Sequence, residues 1–305
     1  MKSIKCRTNV DALKLCVKSN SGKLFDSLTI NDEFHFDGGV IIVNKRYGFS
    51  DDAPLNEIQA KVLVDDLDYQ YADLQLCNNK YSPFSFLTVN NRVFYEPFTT
   101  IFDSDIDGRV SILALIEELL SRMDLMLYQI SSVDVCLDCN FSALTRIKRA
   151  IRDVDNLAMY INGRHVDDNA PTIGYYYAAN RFKLLGQPTL YIKNTGGLAL
   201  KVYDKARELE DVSTSKEEYT RNWSGIDGAP YHRLELTIKS GRINRFCADN
   251  RLTQAGFLKG LCYEDFRLAL LDSLLGDVMR FNRMEAYRKH RTDNVSLLDI
   301  IFNQG

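Results

Sequence analysis

Residues 189–204 read TLYIKNTGGLALKVYD. Two β-prone runs, Thr189–Lys193 and Leu198–Asp204, flank Asn194-Thr195-Gly196-Gly197, a stretch rich in residues that tolerate positive φ. The pattern predicts an antiparallel hairpin. In its second strand Leu198, Leu200 and Val202 alternate with Ala199, Lys201 and Tyr203, followed by Lys205, so one face is aliphatic and the other polar. The same alternation recurs on both sides. Upstream, in a predicted strand over 130–138, Val133, Val135 and Leu137 alternate with Asp134, Cys136 and Asp138. Downstream, over 231–239, Leu234, Leu236 and Ile238 alternate with Arg233, Glu235, Thr237 and Lys239. A hairpin and short connections fit an antiparallel sheet better than repeated βαβ crossovers.

Working outward, Glu33–Phe36 and Val40–Asn44 read as strands across a turn at Asp37-Gly38-Gly39, and Arg92–Phe98 as another. Residues 110–127 (VSILALIEELLSRMDLML) and about 141–156 have helical periodicity, as do 205–222. Ala158–Ile161 and Thr172–Ala178 read as strands, and from Ser240 onward the pattern is helical. The fold class expected is α+β: an antiparallel sheet packed on helices, with a helical C-terminal subdomain. A polar, acidic stretch at 102–108 suggests a boundary, giving an N-terminal β-rich segment 1–108, a middle domain 109–245 and a helical segment 246–305.

At 305 residues with 45% hydrophobic and 26% charged residues, the chain has globular composition and can bury a core without disulfides or metals. No apolar run reaches the ~18 residues of a membrane helix, and MKSIKCRTNV lacks an apolar signal core, so a cytoplasmic place is expected. Seven irregularly spaced cysteines suit buried free thiols in a reducing compartment. Cys136 and Cys139 form a C-x-x-C inside a strand, without the second pair a zinc ribbon needs. The net charge is −3, which excludes a generic basic coat but not a local basic groove. Residues 51–130 carry fourteen Asp and Glu against five Lys and Arg, whereas basic clusters appear after residue 140. G-x-G-x-x-G, Walker A and G-x-S-x-G motifs are absent, which argues against nucleotide use and an α/β-hydrolase.

If the three strands lie side by side, their polar faces gather acids, a tyrosine and lysines. Clustered carboxylates repel unless paired, and a hard divalent cation such as Mg²⁺ or Mn²⁺ relieves the repulsion. A tyrosine beside such an ion can act as a nucleophile on a phosphoryl group, with a lysine offsetting charge. The same residues also suit an ordinary solvated sheet face with Glu–Lys cross-strand pairs.

The segments SSVDVCLDC (131–139), LALKVYDKARELE (198–210) and YHRLELTIKS (231–240) carry, in order, an Asp-x-x-x-Asp strand, a Tyr-x-Lys strand end with a following Glu, and an Arg-x-Glu-x-x-x-Lys strand. In this order they resemble the motifs of rolling-circle replication initiators of the trans-acting Rep type, to which conjugative relaxases are related. The resemblance covers roughly residues 110–250. It implies an enzyme that binds a double-strand origin and nicks one strand, with a tyrosine retaining the 5′ end and a 3′-OH left to prime synthesis by a host helicase and polymerase. It implies a ferredoxin-like or RNA-recognition-type catalytic core. By the same resemblance Tyr203 is the nucleophile and Lys205 its neighbour. Asp134 and Glu235 are metal ligands with Asp138 a further candidate, the metal being Mg²⁺ or Mn²⁺, and Arg233 and Lys239 pair with the acids or touch DNA. A mobilisation relaxase is the close variant, and a non-catalytic DNA-binding initiator the alternative. Some such initiators act as dimers, although no seam in the sequence marks one. The His-hydrophobic-His metal motif of other rolling-circle nickases is absent: His35, His165, His232 and His290 are not spaced that way.

His232 falls on the aliphatic face of its strand and reads as a core histidine. Tyr175–Tyr177 read as packing, with one of them a candidate base-stacking residue. The helix RIKRAIR (146–152), through Arg146 and Arg149, and the tail segment Arg280–Arg291 are candidate phosphate contacts.

Overall fold

The computed structural model describes residues 5–48, 55–65, 67–77, 84–95, 116–166, 181–193, 196–228, 230–284 and 291–302; of 181–183, 291 and 292 the backbone alone is described. In chain order the elements run β1 (Cys6–Ser19), α1 (Lys23–Ile30), β2 (Glu33–Phe36), β3 (Gly39–Gly48), β4 (Leu55–Val64), β5 (Ala72–Cys77), β6 (Ser85–Val89), α2 (Arg92–Tyr95) and α3 (Ile116–Arg122). There follow β7 (Leu125–Cys139), α4 (Ala143–Arg152), β8 (Leu157–Ile161), β9 (Arg164–Val166), α5 (Arg181–Gly186), β10 (Leu190–Lys193), β11 (Leu198–Asp204), α6 (Lys205–Asp211) and α7 (Glu217–Ser224). The chain continues through β12 (His232–Lys239), α8 (Ser240–Asp249), α9 (Gln254–Gly260), α10 (Glu264–Val278), β13 (Met279–Met284), β14 (Arg291–Val295) and α11 (Leu297–Phe302). The expected class, α+β with antiparallel sheet packed by helices and helices dominant after residue 240, is the class observed.

The chain forms two compact units, and neither is a single stretch of sequence. The first comprises Met1–Asn9, Asp134–Ile238 and Glu264–Gly305; the second comprises Val10–Val133 and Lys239–Tyr263. The sequence reading has three consecutive segments instead. The difference arises because β1 and β7 are long enough, at 14 and 15 residues, to contribute to both units.

In the first unit the strand order is β10-β11-β12-β7-β1, with a second antiparallel sheet ordered β14-β13-β8-β9. The predicted hairpin pairs Leu190 with Val202 and Lys193 with Ala199. The aliphatic face predicted from alternation is buried: Leu198, Leu200, Val202, Leu234, Leu236, Ile238, Val135 and Leu137 are all nearly inaccessible to solvent. Each such side chain contributes about 1.5–3 kcal/mol. Helices α4 and α10 pack on β11. Ser142 caps α4 by accepting from the Thr145 amide, and its buried stripe is Leu144, Ile147, Ala150 and Ile151.

In the second unit the order is β7-β1-β6-β5-β4-β3-β2. The β2–β3 hairpin turns at Asp37-Gly38, where Gly38 has φ 87°, a conformation glycine adopts without strain. Leu24 and Leu28 of α1 are buried, and α1 packs on β2 and β4.

Four expectations need correction. Residues 92–95 form a helical turn rather than a strand, because the Asn90 side chain accepts from the Arg92 amide and starts the turn (96–98 lie outside the described residues). The helix expected over 110–127 is described only from 116 and stops at Arg122. There Asp124 takes φ 60° and its carboxylate accepts from the Ser19 and Ser21 hydroxyls, so β7 starts five residues earlier than expected. Residues 205–222 are helical in pieces, broken at Val212–Ser213. The C-terminal segment is not wholly helical, since β13 pairs with β8, a partner over a hundred residues distant. The strand expected over 172–178, Tyr175–Tyr177, the 102–108 boundary stretch and Asn194-Thr195 lie outside the described residues.

Candidate active site

The candidate site lies wholly in the first unit. Directly opposed residues on β11 and β12 share a face. Lys201 opposes Glu235, and Tyr203 opposes Arg233. The Tyr203 hydroxyl donates to Glu235 Oε2 at 3.2 Å, and Lys201 Nζ donates to the other oxygen, Oε1, at 2.7 Å. Glu235 is buried, whereas Tyr203 and Lys201 are partly exposed. Burial alone would lower the Lys201 pKa. The hydrogen bond to Glu235 and the charges of Glu235 and Asp134 outweigh it and hold the ammonium form more firmly than usual. Asp134, on β7 beside β12, adds to this pull.

Deeper in the same face lies a second acid. Asp138 is inaccessible to solvent. Arg233 grips it with Nε on Oδ1 at 2.6 Å and Nη2 on Oδ2 at 2.7 Å, and the Tyr231 hydroxyl donates to Oδ2 at 2.7 Å. Burial, and then the charge of Asp138, raise the Tyr231 pKa far above the ordinary phenol value, so it stays a proton donor. This arrangement corrects two expectations. Asp138 is not poised as a metal ligand, because both oxygens are committed to a bidentate fork and a phenol. Of the two roles expected for Arg233, it takes the pairing with an acid and is not a DNA contact, because it is fully buried on Asp138.

Lys205 is the first residue of α6, whose N-terminus is capped by Asp204 accepting from the Arg207 amide. The Lys205 and Ala206 amides both donate to the Tyr231 carbonyl. Lys205 Nζ is buried, donates to Glu208 Oε2 at 2.5 Å and sits 5.9 Å from the centre of the Tyr203 ring. Glu208 also accepts from the Ser213 hydroxyl. Burial pushes Glu208 upward, but these two hydrogen bonds and the Lys205 and Arg233 charges pull it below the ordinary value. The Tyr-x-Lys-x-x-Glu spacing thus has a local meaning: one turn of α6 brings Glu208 back to a lysine held beside the tyrosine ring. His232 is buried and faces away from Tyr203, as the core reading has it.

The structure does not bring every sequence candidate here. Arg146 lies over the Phe141 ring and donates to the Ile301 carbonyl, and Arg149 is exposed; both are on α4. That helix packs on β11 through its buried stripe, and neither arginine is among the partners of Tyr203 or Glu235 given above. Lys239 is exposed at the end of β12. Residues 285–290, in the basic tail segment, lie outside the described residues. Two members of the site went unpredicted. Lys201 is visible in the alternation as a same-face neighbour of Tyr203, and Tyr231 stands two residues before Arg233, also on its face.

Among the described residues no group of three or more His, Cys, Asp and Glu is arranged to enclose a metal ion. The two Glu235 oxygens are likewise engaged, by Lys201 and Tyr203, so Glu235 could join Asp134 around an ion such as Mg²⁺ only by giving up one of those bonds. That ion is commonly held by one or two carboxylates, with water and substrate phosphate completing its shell. All seven cysteines are free thiols, and Cys6 and Cys139 approach to 3.3 Å, which accounts for one member of the C-x-x-C without zinc.

No protein-family model matches this sequence, and no curated protein matches it. Among solved structures, the rolling circle replication initiator protein from Geobacillus stearothermophilus is similar to this chain at a TM-score of 0.44 and 14% identity, covering 98% of this chain and 96% of that one. No described helix is long and apolar enough to cross a membrane.

Proposed function

We propose that this protein is a DNA strand transferase that initiates rolling-circle replication by nicking one strand at an origin. The observation that carries the reading is the Tyr203 hydroxyl, partly open to solvent, donating to a buried carboxylate whose second oxygen is held by an ammonium ion. A phenol of ordinary pKa, about 10, needs a base to attack at neutral pH. Glu235 Oε2 is placed to accept that proton. Tyr203 Oη bonds to the scissile phosphorus, the bond to the 3′ oxygen breaks, and that oxygen takes a proton from solvent. The 5′ end stays on Tyr203 as a phosphodiester, and the free 3′-OH primes synthesis. Lys201 offsets charge on the phosphoryl oxygens, while Lys205 and Glu208 fix the tyrosine ring. A Mg²⁺ or Mn²⁺ ion held by Asp134, and by Glu235 once Lys201 has turned to the phosphate, would supply Lewis-acid polarisation of the phosphate.

The reading places the protein in a cytoplasm, on a plasmid or phage-like element, with origin DNA, a host helicase and a polymerase as partners. A mobilisation relaxase would use the same groups.

Nicking of a supercoiled plasmid carrying the element's own origin, with Mn²⁺, Mg²⁺ or EDTA, tests the proposal. Relaxed circles and a covalent protein–5′-DNA adduct are expected with metal and not with EDTA. Tyr203→Phe should lose both by at least about 10³-fold while keeping the melting temperature, since it removes one partly exposed hydrogen bond. Cleavage that persists in Tyr203→Phe refutes Tyr203 as the nucleophile. Binding without cleavage under every metal condition refutes the enzyme.

A further inference from the structure

We infer that the second unit carries a single-stranded DNA platform on one sheet face, at the rim where Tyr128 is half-exposed. Along β1, Lys14, Cys16 and Lys18 share one side, and Cys16 opposes Phe86 of β6. Phe84, two residues before Phe86, shares that side. Strand β7 lies on the other side of β1 and presents Tyr128. The Phe84 and Tyr128 rings lie 4.5 Å apart between centres, with Lys18 Nζ 5.1 Å and 4.3 Å from them. Lys14 Nζ lies 4.6 Å from the centre of the Phe86 ring. Tyr128 and its neighbour Met126 are 48% and 49% exposed.

β7 and the segment that leads into and forms β6 therefore place three aromatic rings on this side, Tyr128 half-exposed and Phe84 and Phe86 partly so, each attended by a lysine from β1. Sequence-tolerant single-strand binding uses this combination, with bases stacked on rings and phosphates met by ammonium groups. A duplex keeps its base faces stacked inside and could use only the lysines. The inference rests on the strand-transfer reading for the source of the single strand, which nicking and unwinding would expose.

The test is fluorescence anisotropy of the full chain with a labelled oligothymidine of about 20 nucleotides, and with a duplex of equal length. Tyr128→Ala should weaken oligothymidine binding about 10-fold, and Tyr128→Phe should not. Lys14→Ala/Lys18→Ala should reduce the salt dependence of log K by about 1.4, near 0.7 for each phosphate that no longer meets an ammonium group. Unchanged oligothymidine binding in Tyr128→Ala overturns the platform, as does equal weakening of oligothymidine and duplex binding. No oligothymidine binding by the wild type overturns it too. The nicking assay run in parallel separates the two proposals. Tyr203-dependent cleavage with an unaffected Tyr128→Ala sinks the platform alone. A Tyr128-dependent oligothymidine complex without any Tyr203 adduct sinks the strand-transfer reading alone.

Discussion

Asp138 and Arg233 show how much of the site is support rather than chemistry. Two charges with no solvent access tolerate each other only through close geometry, and removing one partner strands the other. Asp138→Asn should therefore cost about 3–5 kcal/mol in urea unfolding. Tyr231→Phe removes a single hydrogen bond to the same carboxylate and should cost roughly 1.5–3 kcal/mol. Equal, small losses in both would mean that the carboxylate is not the hub of this cluster. His232 gives a different signature. Burial lowers its pKa, against the opposing pull of Asp204, so its folded value lies below the unfolded value of about 6.5. Above that pH both states are neutral and stability is unaffected. As pH falls below it, the unfolded chain takes the proton first and stability is lost towards the folded value. The fall in melting temperature between about pH 7 and 5.5 should be smaller in His232→Gln than in the wild type. The residue scale was legible wherever a side chain's role follows from strand parity: Tyr203, Glu235 and Asp134 share a face, and His232 does not. Parity could not tell that Asp138 spends both oxygens on Arg233 and Tyr231, because depth along a face depends on what packs above it.

At the level of elements, runs with a strict period and local turn chemistry were readable. The β10–β11 hairpin, the β2–β3 turn, β12 and α4 fall where alternation, glycine and capping residues put them. Errors arose where a single polar side chain overrode the period, as Asn90 did for α2 and Asp124 for the start of β7. They also arose where pairing was distant, as for β13 on β8. Gly39 shows an element requirement that no period reveals. A Cβ there would overlap the Leu63 carbonyl oxygen and lie 2.6 Å from Phe36 Cζ. The phenylalanine ring can move, but the carbonyl belongs to β4, paired with β3 on that side. Gly39→Ala should destabilise the protein by about 1–3 kcal/mol, measured by urea unfolding, with the β-sheet circular dichroism otherwise retained. A neutral substitution would show that β3 can slide in register without cost.

On the scale of the whole molecule, the three-segment composition of the first unit governs what can be cut. A boundary near residue 108 invites expression of residues 109–305 as an independent nicking domain. The unit needs the start of β1, however. The Thr8 amide donates to Glu264, and Arg267, a buried cation on α10, spends Nε and Nη2 on the Thr8 hydroxyl and carbonyl. Asn140 accepts from the Lys5 amide, and the Arg7 guanidinium donates to the Trp223 carbonyl and lies 4.9 Å from the Trp223 ring centre. Deleting residues 5–9 removes two hydrogen-bond acceptors from a buried guanidinium, removes donors to Asn140 and to the Trp223 carbonyl, and opens one edge of β7. The fragment 109–305 should therefore show no cooperative thermal transition and form no Tyr203 adduct, although it contains Tyr203, Glu235, Lys201 and Asp134. A fragment that melts cooperatively and still labels the 5′ end of cleaved DNA would show that the catalytic strands are self-sufficient, and that β1 closes a sheet already stable without it.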